Sequence, residues 1–175
     1  MENIFLKNFV KKILSLLNLK NIKIHAQESG NYFDLITGDK VKNIKLNEGA
    51  SATSYPYQKL ICINLDYYTG DREGLEYFVL AHELRHMYQV EAIQFGWESE
   101  ELLDLWKQNL ECYEGSNHIG YENQPIELDA NAFAELIILE LFGRVVEVNC
   151  DFQKLEENMK RISKDLEARF ESSEI

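Results

Sequence analysis

The segment His82-Glu83-Leu84-Arg85-His86 constrains the fold of this chain more than any other feature. Apolar residues recur around it at helical spacing and form one broad stripe: Tyr77, Leu80, Ala81, Leu84, Met87 and Tyr88. A helix with such a stripe is buried, so its histidines, glutamate and arginine need partners elsewhere in the chain. The simpler alternatives are a surface helix with two solvated histidines, or core histidines bonded to backbone.

The two histidines of this segment have the spacing of metal ligands. Residues i and i+4 of a helix share one face, about 6 Å apart along the axis, so His82 and His86 can bind one metal ion. Glu83 flanks the same face. Two histidine ligands with an adjacent glutamate as general base are typical of zinc hydrolases. With a carboxylate as a third ligand, two imidazoles would favour zinc over other divalent ions.

A catalytic zinc ion takes three protein ligands, so a third residue must come from elsewhere. Glu127, 41 residues after the second histidine, is the best candidate, in a helix predicted to begin at Pro125 and end before Gly143. Asn131 lies one turn later on the same face and could orient a ligand histidine through its side-chain carbonyl. The alternative to a ligand role for Glu127 is an acidic residue in the first helical turn, where the helix dipole favours it. The alternative for Asn131 is a buried amide bonded to backbone. The dipole interpretation fits Asp129, which projects from the opposite side.

These two helices resemble those of the ImmA/IrrE-like zinc metallopeptidases, a gluzincin-type family that pairs a His-Glu-x-x-His helix with a later Glu-x-x-Ala-Asn-x-Phe-Ala helix. The second motif is here Glu127-Leu128-Asp129-Ala130-Asn131-Ala132-Phe133-Ala134, and the resemblance covers roughly residues 59–142. It implies regulated cleavage of a protein such as a transcriptional repressor. The Met-Pro that often closes the second helix is replaced by Leu141-Phe142-Gly143, so the chain is identified as a divergent member. Carried over by position, the family's site implies Glu83 as general base and, as zinc ligands, His82, His86 and Glu127.

A donor to the oxyanion that forms during hydrolysis is also expected in this chemistry. The loop from Cys112 to Asn123 separates the two motif helices and contains Tyr113, His118 and Tyr121. Tyr121 is nearest to the second motif helix and is the first candidate, followed by His118. The alternative for both is an ordinary surface position. Arg85 could hold a substrate carboxylate or, more simply, form an ion pair with a nearby acid.

The cysteines indicate a reducing compartment, which favours the cytoplasm. Cys62, Cys112 and Cys150 are widely spaced and odd in number, so they do not form a disulfide framework. Cys62 is an alternative third zinc ligand, because deformylases combine a cysteine with the same histidine motif. It lacks the glycine-rich surroundings found in those enzymes, and a buried strand thiol is the simpler interpretation.

The remaining pattern predicts one helix-rich α+β domain over residues 1–175, with a small sheet beside the motif helix in a minimal zincin-like arrangement. Short alternating stretches predict strands at 21–27, 32–37 and 59–65. The third strand directly precedes the motif helix, and such a strand can be the sheet edge that pairs with an extended substrate or simply a core strand. His25 falls on the polar face of its strand and is predicted to be solvated.

Further helices are predicted at 98–110 and 152–170, both as scaffold, and at the N-terminus. The N-terminal apolar run is interrupted by Ser15 and Asn18 and is too short to span a membrane. It predicts an amphipathic helix that covers the domain, with membrane-surface or partner binding as the alternative.

The charge balance narrows the function further. The formal net charge is −12, which argues against direct nucleic-acid binding because that requires clustered Lys and Arg. The charge favours a substrate or partner with basic segments.

Together with the two motifs, these observations give as the leading hypothesis a cytoplasmic zinc peptidase, more specifically an endopeptidase acting on a peptide or protein substrate. A catalytically silent metal-binding interaction module, or a zinc hydrolase of a non-peptide amide, are the alternatives.

Overall fold

Five α-helices and a small sheet form the parts of the chain that the computed structural model describes, residues 4–115 and 120–172. The strands are β1 (Lys23–Glu28), β2 (Asn31–Asp34), β3 (Ala52–Tyr55) and β4 (Leu60–Asn64). The helices are α1 (Ile4–Leu16), α2 (Leu75–Phe95), α3 (Glu100–Glu111), α4 (Pro125–Phe142) and α5 (Phe152–Ser172). The predicted helix-rich α+β class is confirmed.

The sheet is mixed, with the strand order β2-β1-β4-β3. Its central strands β1 and β4 are parallel, and Ile24 lies opposite Ile61 while Ala26 lies opposite Ile63. All four of these side chains are fully buried in the core. Because successive side chains of a strand point to opposite faces, His25 lies on the other face, where it is half-buried rather than solvated as predicted.

The structure decides between the two interpretations of the third predicted strand. β4, predicted as a possible substrate-binding edge, pairs with β1 on one side and β3 on the other, so it is a core strand. The edge strands are β2 and β3, and β3, which runs antiparallel to β4, was not predicted as a strand. Its sequence, Ala-Thr-Ser-Tyr, is short and largely polar, so it carries no hydrophobic alternation from which a strand could be recognised.

The two motif helices, α2 and α4, pack against each other at the centre of the domain. α4 begins at Pro125 and ends before Gly143, which has a φ of +62° in the left-handed region, as predicted. Every residue from Ile126 to Ile138 is buried. Glu127, Asp129 and Asn131 are therefore inside the domain, where their polar groups require specific partners.

The terminal helices cover this core, which confirms the amphipathic helix predicted at the N-terminus and the helix predicted at 152–170. α1 buries Leu6, Phe9, Val10 and Ile13, and α5 buries Leu155 and Ile162. Over the ranges that the structure describes, none of the helices combines the length and apolar character needed to cross a bilayer.

Candidate metal centre

The structure brings the three predicted zinc ligands together from two helices. On α2, the Nε2 atoms of His82 and His86 lie 2.9 Å apart. On α4, Glu127 places Oε2 3.4 Å from His82 Nε2 and Oε1 3.4 Å from His86 Nε2. The imidazole nitrogens and the carboxylate thus converge on one point, which the spacing of either motif alone could not establish.

The nitrogen–oxygen separations fit a zinc ion. With zinc bonded to nitrogen and oxygen at about 2.0–2.1 Å in a tetrahedron, two ligand atoms lie about 3.3 Å apart, close to the two 3.4 Å separations, whereas the Nε2 atoms at 2.9 Å are somewhat closer. Glu127 is fully buried, and its Oε2 accepts no hydrogen bond from the residues that the structure describes. A buried carboxylate oxygen without a donor is costly unless a cation compensates it. The donor set of two imidazoles and one carboxylate is therefore suited to zinc.

The electrostatics of the group also favour a positive charge at this point. Burial opposes charge on His86, but the neighbouring Glu127 carboxylate outweighs it and raises the pKa of His86 to about 9. Burial likewise opposes charge on Glu127, yet the two imidazoles hold the pKa of its carboxyl far below its usual range. A cation placed between these groups meets a carboxylate that is already ionised.

Each histidine is oriented by an amide oxygen on its other ring nitrogen. His82 Nδ1 lies 2.8 Å from Asn131 Oδ1, and His86 Nδ1 lies 2.8 Å from Gln89 Oε1. Since an amide oxygen can only accept, both Nδ1 atoms carry a proton and the Nε2 atoms point toward Glu127. Asn131 has the predicted position. Gln89 was not predicted, although its i+3 spacing from His86 on the same helix is a signal that could have identified it.

Two tyrosines from the loop before α4 lie beside the candidate ligands. Tyr113 donates its hydroxyl proton to Glu127 Oε1 over 2.6 Å, and its oxygen lies 3.0 Å from the Tyr121 hydroxyl. Burial raises the pKa of both phenols, so both remain proton donors at neutral pH. Tyr121 is thus close to the group, as predicted, but Tyr113 makes the direct contact. The second candidate, His118, lies outside the described residues.

A cleft of about 800 Å³ opens over this group. One part of its lining is formed by the loop before β3 and by β3 itself, which is an edge strand of the sheet. α2 contributes Phe78, Val79 and Glu83 to the lining, and Glu83 is half-buried next to His82 in the sequence. Glu83 therefore borders the same cleft as the three candidate ligands.

Three other sequence-based interpretations are settled by this geometry. Arg85 is buried and bonds Asp129 Oδ2 through Nε at 2.7 Å, which confirms the ion-pair interpretation. The dipole interpretation of Asp129 is wrong, because the residue is fully buried and paired with Arg85 rather than exposed in the first turn. Cys62 is a buried thiol of β4. It is not part of the His82, His86 and Glu127 group, which is the one metal-ligand group of this kind within the described parts of the chain.

Comparisons with protein-family models, with curated proteins and with solved structures found no match to this chain. The resemblance to the ImmA/IrrE-like metallopeptidases therefore stays a prediction that rests on the two helical motifs.

Proposed function

We propose that this protein is a zinc-dependent metallopeptidase, and more specifically an endopeptidase of the cytoplasm. One observation carries the proposal: His82, His86 and Glu127 converge within 3.4 Å of one another below a cleft that Glu83 also lines. These three residues would hold the zinc ion. A silent metal site has no physical need for an acid beside its ligands, so the presence of Glu83 supports catalysis over a purely structural or partner-binding role.

The roles of the residues follow from their positions. Zinc bound by the three ligands would supply a Lewis acid that lowers the pKa of water toward about 7 and polarises the scissile carbonyl. Glu83 accepts a proton from the attacking water and later delivers it to the leaving amine. Asn131 and Gln89 keep the two imidazoles in the tautomer that binds metal through Nε2.

The tyrosines supply the expected proton donors. Tyr113 already uses its proton for Glu127, and a phenol has a single proton to donate. Tyr121 lies 3.0 Å from Tyr113 and lines the cleft, so its hydroxyl can turn from Tyr113 toward a developing oxyanion. Tyr121 is therefore the proposed oxyanion donor, and Tyr113 holds the Glu127 carboxylate in place.

The walls of the cleft favour an extended peptide over a small amide. β3 offers an unpaired strand edge to which a peptide can add main-chain hydrogen bonds, whereas a small closed pocket would suit a non-peptide amide. Five carboxylates line the cleft, from Glu48, Glu83, Glu122, Glu127 and Glu147, and its described lining contains no lysine or arginine. A divalent ion offsets two of these negative charges. The charge that remains favours substrates with basic side chains near the scissile bond.

Zinc content and peptide cleavage by the wild type and by Glu83→Gln test the proposal. We expect the wild type to bind zinc stoichiometrically and to cleave an internally quenched peptide library that includes basic residues. Glu83→Gln should retain zinc and lose activity by about 10²- to 10⁴-fold, the usual contribution of a general base. A wild-type protein that takes up no zinc on reconstitution would contradict the proposal, as would unchanged activity in the variant.

A further inference from the structure

A buried polar network extends from the candidate metal centre to α5. Gln89, whose Oε1 accepts a hydrogen bond from His86 Nδ1–H, is fully buried. Its Nε2 donates to Asp129 Oδ2 at 2.7 Å and to the Ile126 carbonyl at 2.9 Å. Both protons of the amide are therefore used on the side away from His86.

This arrangement fixes which end of the Gln89 amide faces His86. If Asp129 did not accept from Nε2, the Ile126 carbonyl alone would hold that end of the amide, which could then turn over more readily and present its NH₂ group to His86. His86 Nδ1 would then have to accept, and the neutral ring would carry its proton on Nε2, where that proton blocks metal binding. Asp129 thus acts on His86 through Gln89, without contacting the histidine.

Two arginines in turn hold Asp129. Arg85 bonds both carboxylate oxygens, through Nε at 2.7 Å and through Nη2 at 3.1 Å. The Arg85 guanidinium packs over the rings of Tyr88 at 4.5 Å and Phe133 at 5.4 Å, so it has little freedom to move. The second arginine is Arg161 of α5, whose Nη2 hydrogen-bonds Asp129 Oδ1.

We propose that Asp129 and Arg161 are positioning residues of the metal centre and that, through them, the C-terminal helix α5 sets the orientation of His86. The inference rests on the proposed function, because it assumes that His86 is a zinc ligand. It gives α5 a role beyond that of scaffold: a shift of α5 that withdraws Arg161 loosens Asp129, then Gln89, and then the ligand histidine.

A double-mutant cycle on zinc affinity tests this chain of contacts. Gln89→Leu, Arg161→Gln and the double variant are compared with the wild type by competition for Zn²⁺ with a chromophoric chelator. Loss of an outer partner of a metal ligand typically weakens metal binding about 10- to 100-fold, and we expect that range for Gln89→Leu and at least about tenfold for Arg161→Gln. Because Arg161 acts through Gln89, Arg161→Gln should have little further effect in the Gln89→Leu background.

Matched variants separate positioning from general loss of stability. Arg161 is 29% exposed, so its replacement should leave the chain folded. Leu155→Ala perturbs the packing of the same helix without removing a polar group of the network, because Leu155 is an apolar side chain buried in the core. At a temperature where all variants are folded, Leu155→Ala should bind zinc like the wild type, and Arg161→Lys should recover part of the affinity.

Wild-type affinity in Arg161→Gln, an equal loss in Leu155→Ala, or effects of Gln89→Leu and Arg161→Gln that simply add would overturn the inference while leaving the zinc site intact. A wild type that binds no zinc would instead refute the proposed function, and the inference with it.

Discussion

Replacing Glu127 by glutamine removes one negative charge from the candidate metal centre and leaves the shape of the side chain unchanged. Glu127 is fully buried, and its two oxygens lie 3.4 Å from the Nε2 atoms of His82 and His86. Solvent therefore does not screen the charge. We expect Glu127→Gln to lose most of its zinc affinity.

The size of the expected loss of zinc affinity follows from the effect of Glu127 on the neighbouring His86. The pKa of His86 rises from 6.5 to about 9, although burial alone would lower it, and Glu127 is the main group that raises it. Glu127 therefore stabilises a unit positive charge at this point, and removing one partner of a buried charge pair costs about 3–5 kcal/mol. A zinc ion carries twice that charge, so the variant should bind zinc at least about a hundredfold more weakly.

The assay is zinc competition with a chromophoric chelator, at fixed pH and salt, on variants that circular dichroism shows to be folded. Glu83→Gln is the matched control, because it makes the same chemical change on a half-buried residue that lines the cleft next to His82. It should bind zinc far more tightly than Glu127→Gln. Equal affinities in the two variants would refute the ligand role of Glu127 and leave only a diffuse negative field around the histidines.

The remaining predictions concern turnover, zinc binding and substrate preference. Tyr121→Phe should lower kcat by about 10²- to 10³-fold, the usual cost of removing an oxyanion donor, and leave zinc affinity unchanged. Tyr113→Phe should mainly weaken zinc binding, because it loses its hydrogen bond to Glu127. The opposite pattern would exchange the two roles. Glu48→Gln combined with Glu147→Gln, both exposed residues of the cleft, should raise KM for peptides with basic residues and leave cleavage of neutral peptides unchanged. Raising the ionic strength should reduce the wild-type preference for basic peptides in the same direction, and a preference insensitive to both changes would contradict the charge argument.

The sequence was most informative where its periodicity and its chemistry coincide. Motif spacing placed His82 and His86 on one face of a helix, and Pro125 and Gly143 marked the ends of α4, so the three candidate ligands could be named before their geometry was known. The meeting of Glu127 with the histidines depends on the packing of α2 against α4. Such packing is a tertiary property that no local pattern encodes.

The predictions that failed share a physical cause, which is that tertiary contacts override local preferences. β3 has no apolar alternation and becomes a strand because the edge of β4 is available to it. Asp129 suits a helix N-terminus by local rules, yet two arginines from distant parts of the chain stabilise it in the core. Tyr113 contacts Glu127 through a loop whose path the sequence does not specify.

The polar residues of α4 explain why one helix can serve both the core and the site. Glu127, Asn131 and Glu135 repeat every four residues, and Asp129 lies off that line. Glu127 approaches both histidines, Asn131 orients His82, and Glu135 accepts the Val146 backbone N–H, which holds a segment that also lines the cleft. Each of these side chains thus has a specific partner, while Glu127 Oε2 has no hydrogen-bond donor among the described residues and is left for a cation. Without these partners, the charged side chains of α4 would destabilise the core in which the helix is buried. The requirements of folding and those of the candidate site therefore select the same residues.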